Sequence, residues 1–268
     1  MSAPVIAETR LSAARVLSAG TVLIRLERPE NFPDPFPGQF AKLKILSAAP
    51  NLPPGLCGAG FLDRPFSFHA QTADELSFLI REAGAVSGLF KSLSPGAKIR
   101  ITGPLGRAED SLIKGRDPLI LVAGGAGLAP MGMIRRENFP RVLLLYGEKT
   151  GEAQADEGYL DSLAPDRISL TEDGSGRGGK GLPTEALSRA LEALTTPALV
   201  FACGPPGLLR ECARLCAERP RAKCLISAET FLACGLGVCL SCSFSARDGS
   251  RRRLCVDGPV FPAELLNF

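Results

Sequence analysis

One histidine, His69, stands in a chain of 268 residues, so no histidine-centred acid-base dyad for substrate chemistry can be assembled, and His69 reads as a strand residue instead of a base. Net charge is also scarce: 31 lysines and arginines against 28 aspartates and glutamates leave +3. Nothing in that balance calls for nucleic acid. The one basic run, Arg251 to Arg253, is too short to be more than a local patch: most such runs are simply solvated, and the alternative, from its place just before Cys255, is a partner-facing surface. No apolar run reaches the ~18 residues that suggest a membrane span. The opening MSAPVIAETR lacks the charged start, apolar core and small-residue cleavage site of an export signal. A soluble, cytoplasmic protein is expected, and in a reducing compartment its nine cysteines point to metal or catalysis before disulfides.

What the chain has in excess is glycine (29) and proline (22), together about a fifth of the residues against a usual ~12%. Without a low-complexity tract to explain it, that excess implies many tight turns where backbone approaches ligands. An apolar fraction of 45% is ample for a packed core, and the length suits about two domains.

The most informative stretch is Phe231 to Cys255. Cys234, Cys239 and Cys242 form a C-x4-C-x2-C run, and Cys255 follows alone. That is the plant-type ligand spacing of a 2Fe-2S cluster. Gly235 and Gly237 let the loop turn tightly and bring N–H groups close to the sulfurs. Zinc accepts four cysteines too, although structural zinc sites use two short knuckles and the second is missing here. A zinc-stabilised interaction module without redox activity, or unliganded core thiols, therefore remain as alternatives.

From Val16 to Ile101 the signals are short strands. Thr21 to Leu26, Gln39 to Ile45, Leu76 to Ile80 and Lys98 to Ile101 are β-rich, and in the second Ala41, Leu43 and Ile45 share one face while Lys42 and Lys44 share the other. A brief helix is expected near Gly88 to Leu93. Such strands, each with one polar face, predict a small antiparallel barrel over residues 1–106. Ala48 to Gly60, rich in proline and glycine, reads as a surface loop, and Cys57 within it has no assigned role.

After Gly103-Pro104-Leu105-Gly106 the rhythm changes. Apolar runs at Leu119 to Ala123, Val142 to Tyr146, Ile168 to Thr171, Leu199 to Cys203 and Lys223 to Ser227 alternate with helical stretches near Met131 to Arg136, Thr184 to Leu194 and Pro206 to Glu218. Uniformly apolar strands between helices predict a parallel sheet covered on both faces, an α/β domain over residues 107–228. Its ligands belong beyond the carboxyl ends of the strands. Gly124, Gly125 and Gly127 lie there, on a turn expected to lead into a helix with Pro130 in its first turn, where backbone donors suit a pyrophosphate. A second turn, Thr171 to Gly176, is suited to polar ligand contacts. Glu148, at another strand end, is placed to accept from a ribose 2′-hydroxyl and to repel a 2′-phosphate, which favours NAD over NADP. Cys212, Cys216 and Cys224 read as packing residues.

Together Arg64-Pro65-Phe66-Ser67, Gly103 to Gly106, Gly124 to Pro130, Cys203-Gly204-Pro205 and the closing Cys255-Val256-Asp257-Gly258-Pro259-Val260-Phe261 resemble the ferredoxin-reductase family, and within it the electron transfer subunits of NAD-linked dihydroorotate dehydrogenases. Small flavin and iron-sulfur subunits of sulfide dehydrogenase and of NADH-dependent ferredoxin:NADP oxidoreductase are built alike. The resemblance implies a mixed β and α/β chain: an FAD-binding barrel, an NAD-binding parallel-sheet domain and a 2Fe-2S module over residues 229–268. It implies FAD along Arg64, Pro65, Phe66 and Ser67, with Leu79, Ile80 and Arg81 as the next wall. Val86 and Ser87 stand where the family has a Gly-Thr pair at the diphosphate, so the glycine's close approach is lost while a hydroxyl is kept. It implies NAD at Gly124, Gly125, Gly127, Asp173, Gly174, Cys203, Gly204 and Pro205, with no catalytic acid or base. It also implies a separate FMN-bearing catalytic subunit, two copies of each chain, with electrons passing through 2Fe-2S and FAD to NAD+ in pyrimidine biosynthesis.

Overall fold

The computed structural model describes residues 3–47, 63–113 and 115–267. The loop Ala48 to Gly60, with Cys57, lies outside the described residues. Six strands close the barrel: β1 (Val5–Ser18), β2 (Thr21–Glu27), β3 (Phe40–Ser47), β4 (Arg64–Gln71), β5 (Glu75–Arg81) and, after the short helix α1 (Ala85–Ser92), β6 (Lys98–Leu105). Their order around the barrel is β1-β2-β5-β4-β3-β6, every pairing antiparallel. Alternation puts Ile24, Leu43, Phe68, Phe78, Ile80 and Ile101 inside, each contributing about 1.5–3 kcal/mol of hydrophobic stabilisation. The expected barrel is there, with two strands, β1 and β4, beyond the four segments that the sequence signals. β1 gives a weak strand signal because its inner face, where Ala7, Thr9 and Leu11 alternate with exposed Glu8 and Arg10, carries few large apolar residues, while apolar Ile6 and Val16 are exposed.

The second sheet contains β7 (Leu119–Gly124), β8 (Val142–Glu148), β9 (Arg167–Thr171), β10 (Ala198–Cys203) and β11 (Ala222–Ser227), with α2 (Glu157–Leu163), α3 (Pro183–Glu192) and α4 (Pro206–Ala217) between them. These five strands run parallel, β7 and β10 side by side at the centre. The chain steps outward from β7 to β9, then returns to β10, so the order reverses between β7 and β10. Ligand crevices form at such a switch point. Residues Leu119 to Gly124 are buried throughout, which is why the run is apolar without alternation.

The helix expected after the glycine turn is not an α-helix. Gly125–Met133 winds as a 3-10 helix with Pro130 inside it. Pro130 has no N–H to give, and the Ala129 carbonyl, which an α-helix would use internally, meets His69 Nδ1 at 2.9 Å instead. Gly132 is pressed on the same imidazole, since a Cβ there would fall 2.3 Å from its Cε1. Burial lowers the pKa of His69; neutral, it donates from Nδ1 to Ala129 and faces the Tyr159 hydroxyl with Nε2 at 3.4 Å. His69 thus joins the barrel to the α/β domain and lines neither cavity described below.

The C-terminal residues add the β-ribbon of β12 (Ser243–Ser245) and β13 (Arg251–Arg253), one turn of helix α5 (Leu254–Asp257), and β14 (Val260–Pro262). β14 pairs antiparallel with β11 and completes a six-stranded sheet in the order β14-β11-β10-β7-β8-β9. Cys242, Leu254, Cys255 and Phe261 share one core with Phe40 and Leu105 of the barrel and with β10 and β11. Among the described residues no helix is long and apolar enough to cross a membrane.

Candidate functional site

Two cavities meet between the barrel and the α/β sheet. The first, about 790 Å³, is lined on the barrel side by Arg64, Pro65, Phe66 and Ser67 of β4 and by Leu79 and Arg81 of β5. Val86 and Ser87 line it at the start of α1, and Ala126, Pro130 and Cys203 face it from the sheet. Ile80 does not take part: strand alternation turns it into the barrel core, where it is fully buried. The Ser87 hydroxyl accepts from the Ala83 N–H at 2.8 Å and donates to the Gly84 carbonyl at 3.0 Å, so it braces its own turn. Cys203 is buried; burial first, then the nearby Glu229 carboxylate, pushes its thiol up to about 12, which keeps it protonated as a packing surface.

The second cavity, about 990 Å³, opens at the carboxyl ends of the parallel strands. Gly124, Gly125, Gly127, Glu148, Gly204 and Pro205 line it, as the sequence placed them at strand ends. Its close approaches are tight: a Cβ on Gly124 would lie 2.7 Å from the Pro205 ring. Of the turn from Thr171 to Gly176, only Glu172 reaches the lining. Asp173 and Gly174 lie outside it, and the Asp173 carboxylate accepts from the Ser175 N–H at 2.9 Å and from its hydroxyl at 2.8 Å. A turn can be recognised in sequence without showing which of its residues faces inward. The C-terminal residues Phe244, Leu254 and Asn267, which the sequence reading left out, also face this cavity.

Arg81 lines both cavities. Its Nη1 donates to both carboxylate oxygens of Glu148 at 3.1 Å, and the Tyr146 hydroxyl donates to Glu148 at 3.1 Å. A ribose hydroxyl would therefore compete with two donors already seated. Gly125 has no side chain because the guanidinium occupies that space: a Cβ would fall 2.1 Å from Arg81 Nη1. Glu148 is almost wholly buried, and burial raises its pKa above the ordinary 4.5 although Arg81 and Tyr146 act the other way. The folded chain thus holds this proton more tightly than the unfolded chain. Stability from Glu148 is greatest below the ordinary carboxylate pKa and falls as pH rises through the folded value. Glu148→Gln, which does not titrate, is expected to gain on the wild type in Tm as pH climbs above 4.5. Parallel curves of Tm against pH for the two chains would disprove this.

The three cysteines of the C-x4-C-x2-C run and Cys255 are free thiols gathered on one side of the barrel, next to the first cavity. Positive φ values at Gly235 (77°), Gly237 (79°) and Leu240 (62°) coil the loop. A Cβ on Gly237 would meet Val256 at 2.6 Å. Cys242 and Cys255 are buried with their sulfurs 3.3 Å apart; Cys234 and Cys239 are hydrogen-bond neighbours nearer the surface. The sulfurs thus stand as two pairs, and among the described residues no three have closed into a metal-holding group. Their chemistry nevertheless fits an iron-sulfur core. The Ser241 hydroxyl, 3.2 Å from Cys239, and then the Cys234 backbone hold the Cys239 thiol down to about 6, and the Cys239 N–H chiefly lowers that of Cys234. The Leu236 N–H adds a hydrogen bond to Cys234 Sγ at 3.3 Å. Such donors favour thiolate, the form that binds metal.

Comparison with known proteins agrees with this arrangement. Residues 229–267 match the iron-sulfur cluster binding domain of dihydroorotate dehydrogenase B. The probable dihydroorotate dehydrogenase B (NAD(+)) electron transfer subunit of Methanopyrus kandleri is 31% identical over 249 residues, 92% of this chain and 86% of that protein. The corresponding subunit of Clostridium perfringens is 33% identical over 208 residues, 75% and 79% of the two chains. Among solved structures, one of NADH-dependent reduced ferredoxin-NADP oxidoreductase superposes with a TM-score of 0.80 at 19% identity, covering 97% of this chain and 90% of that one. A ferredoxin NADP+ reductase from Neisseria gonorrhoeae gives 0.62 at 21% identity, over 80% and 92%. These two show the fold. Likeness to the Methanopyrus protein along nine-tenths of the sequence, ending in the cysteine module, shows that the chain belongs to the family of dihydroorotate dehydrogenase B (NAD(+)) electron transfer subunits.

Proposed function

We propose that this chain carries electrons from a dihydroorotate-oxidising, FMN-bearing partner to NAD+, holding a 2Fe-2S cluster on Cys234, Cys239, Cys242 and Cys255, FAD in the 790 Å³ cavity and NAD in the 990 Å³ cavity. The observation that carries this reading is the contiguity of the three places. Arg81, Ala126 and Leu254 line both cavities, and Leu254 packs in the same core as Cys242 and Cys255. Bound FAD supplies the conversion between hydride transfer with nicotinamide and single-electron transfer with iron.

The residues of the chain supply placement. Arg64 offers a cation to phosphate and Ser67 a hydroxyl to the ring edge. Gly124 at the end of β7, Gly125 and Gly127 in the turn after it, and Gly204 just past β10 keep the sheet side low enough for a dinucleotide to approach. Among the described residues neither cavity is lined by a histidine, and we assign removal of the C–H proton from dihydroorotate to the partner. We keep the division into residues 1–106, 107–228 and 229–268 as part of this reading, and an assembly of two copies of each subunit. Its test is NAD+ reduction by dihydroorotate in the purified complex: a homogeneous chain that oxidises dihydroorotate unaided would refute the division of labour.

The surface around the cysteine loop favours a partner there. Phe231 is 90% exposed and Val238 80%, with Leu236 and Leu240 about half exposed beside them. Side chains of this size gathered at one place mark an interaction site. Val238→Glu is expected to weaken copurification of the catalytic subunit by roughly tenfold or more, equal to about 1.4 kcal/mol, with iron per chain unchanged. Undiminished association would move the docking face elsewhere.

A further inference from the structure

Alternation along β3 puts Lys42 on the polar face of the barrel, yet it is only 9% exposed. The cysteine loop covers it. Lys42 Nζ donates to the carbonyl of Ala233 at 2.6 Å and to that of Cys234 at 3.4 Å. Its stem fills the space beside Gly235, where a Cβ would lie 3.0 Å from Lys42 Cδ. In the barrel it stands opposite Pro65, on the strand that lines the first cavity. The cation therefore sits between the cysteine loop and the strand assigned to FAD.

No carboxylate accounts for this charge. Among the described residues no aspartate or glutamate lies within 4.0 Å of Lys42 Nζ. Two arginines of the neighbouring ribbon do have carboxylates: Arg253 lies 3.8 Å from Asp257, and Arg252 lies 3.4 Å from Asp248. A buried ammonium that meets only carbonyl dipoles is costly unless an anion faces it. Four thiolates around two irons and two sulfides carry net negative charge, increased by each electron taken up, and cluster potentials follow that charge and its surroundings. We infer that Lys42 is the counter-charge of the cysteine-bound cluster, holding its reduction potential up and thereby setting how readily it takes electrons relative to FAD.

This inference rests on the assignment of the four cysteines to a 2Fe-2S cluster, and its test separates the two. The complete chain, with its catalytic partner, is titrated reductively as wild type, K42R, K42Q and K42M, following the paramagnetic signal of the reduced centre, with iron per chain measured alongside. K42R is expected to keep the wild-type potential. K42Q and K42M are expected to shift it negative by the equivalent of about a tenfold change in the one-electron equilibrium, about 59 mV.

Glutamine keeps an N–H donor for the Ala233 carbonyl, so a role in hydrogen bonding alone would leave K42Q at the wild-type potential and overturn the inference. A K42R shift as large as that of K42Q would do the same. Loss of iron from K42Q but not from K42R would assign Lys42 to loop assembly and would likewise overturn it. Absence of the signal in the wild-type complex would instead remove the cluster assignment, an outcome seen before any variant is made.

Discussion

Cys239→Ser is expected to lower dihydroorotate-dependent NAD+ reduction by more than about 100-fold, because losing a ligand acts at least as strongly as losing a group that hydrogen-bonds one, which costs 10–100-fold. Cys239 is the exposed member of the four, at the tip of the loop, with a thiol held down to about 6 by Ser241 and the Cys234 backbone. Serine keeps the size but offers a far poorer metal donor than thiolate. The two buried sulfurs of Cys242 and Cys255 stay packed in their core, so the fold should hold. NADH-driven reduction of an artificial dye, which needs only the two cavities, is expected to continue at the wild-type rate. The measurement is the pair of assays on the same preparation: equal loss in both would point to misfolding, and loss in neither would end the proposal that electrons enter through this loop.

Gly127→Ala should act on the other end of the path. A Cβ on Gly127 would lie 1.9 Å from the Cys203 carbonyl oxygen and 2.5 Å from its carbon. Both contacted atoms are backbone at the end of β10, met by the 3-10 turn that follows β7, so no side chain can swing aside. The 3-10 turn and the end of β10 must part, which costs about 1–3 kcal/mol and occasionally more, and the wall of the second cavity moves with them. A lowered Tm and a raised KM for NAD+ are expected together. Gly207→Ala is the control in the same cavity: it lies in α4 with nothing within 4 Å of a Cβ, and alanine there should favour the helix by about 0.5–1 kcal/mol. Similar losses in both variants would show that the space at Gly127 decides nothing.

These contrasts also mark what could be read before the fold was known. The cysteine spacing and the change from alternating strands to apolar strands with helices are local patterns, and local chemistry dictates them. The lining of the cavities by Arg64 to Ser67 and by Gly124, Gly125 and Gly127 follows from their places at strand and turn. Contacts made across the chain were not legible. Alternation placed Lys42 on a polar face but could not reveal the loop that covers it, nearly two hundred residues on. The turn after Gly124 promises a helix with Pro130 in its first turn, and the sequence does not show that His69 takes the Ala129 carbonyl. Glu148 looked free for a ribose because the sequence does not show Arg81 arriving from the barrel. In each case a distant partner decided the outcome.

β14 has a consequence beyond its three residues. Without it, the outer side of β11 would present a row of unsatisfied N–H and C=O groups, ready to recruit a strand from another molecule. The tail that carries the last cysteine therefore also hems the sheet. Cutting the chain ahead of the cysteines would not yield a tidy flavoprotein reductase but a sticky one, so electron relay and colloidal solubility are stitched with the same thread.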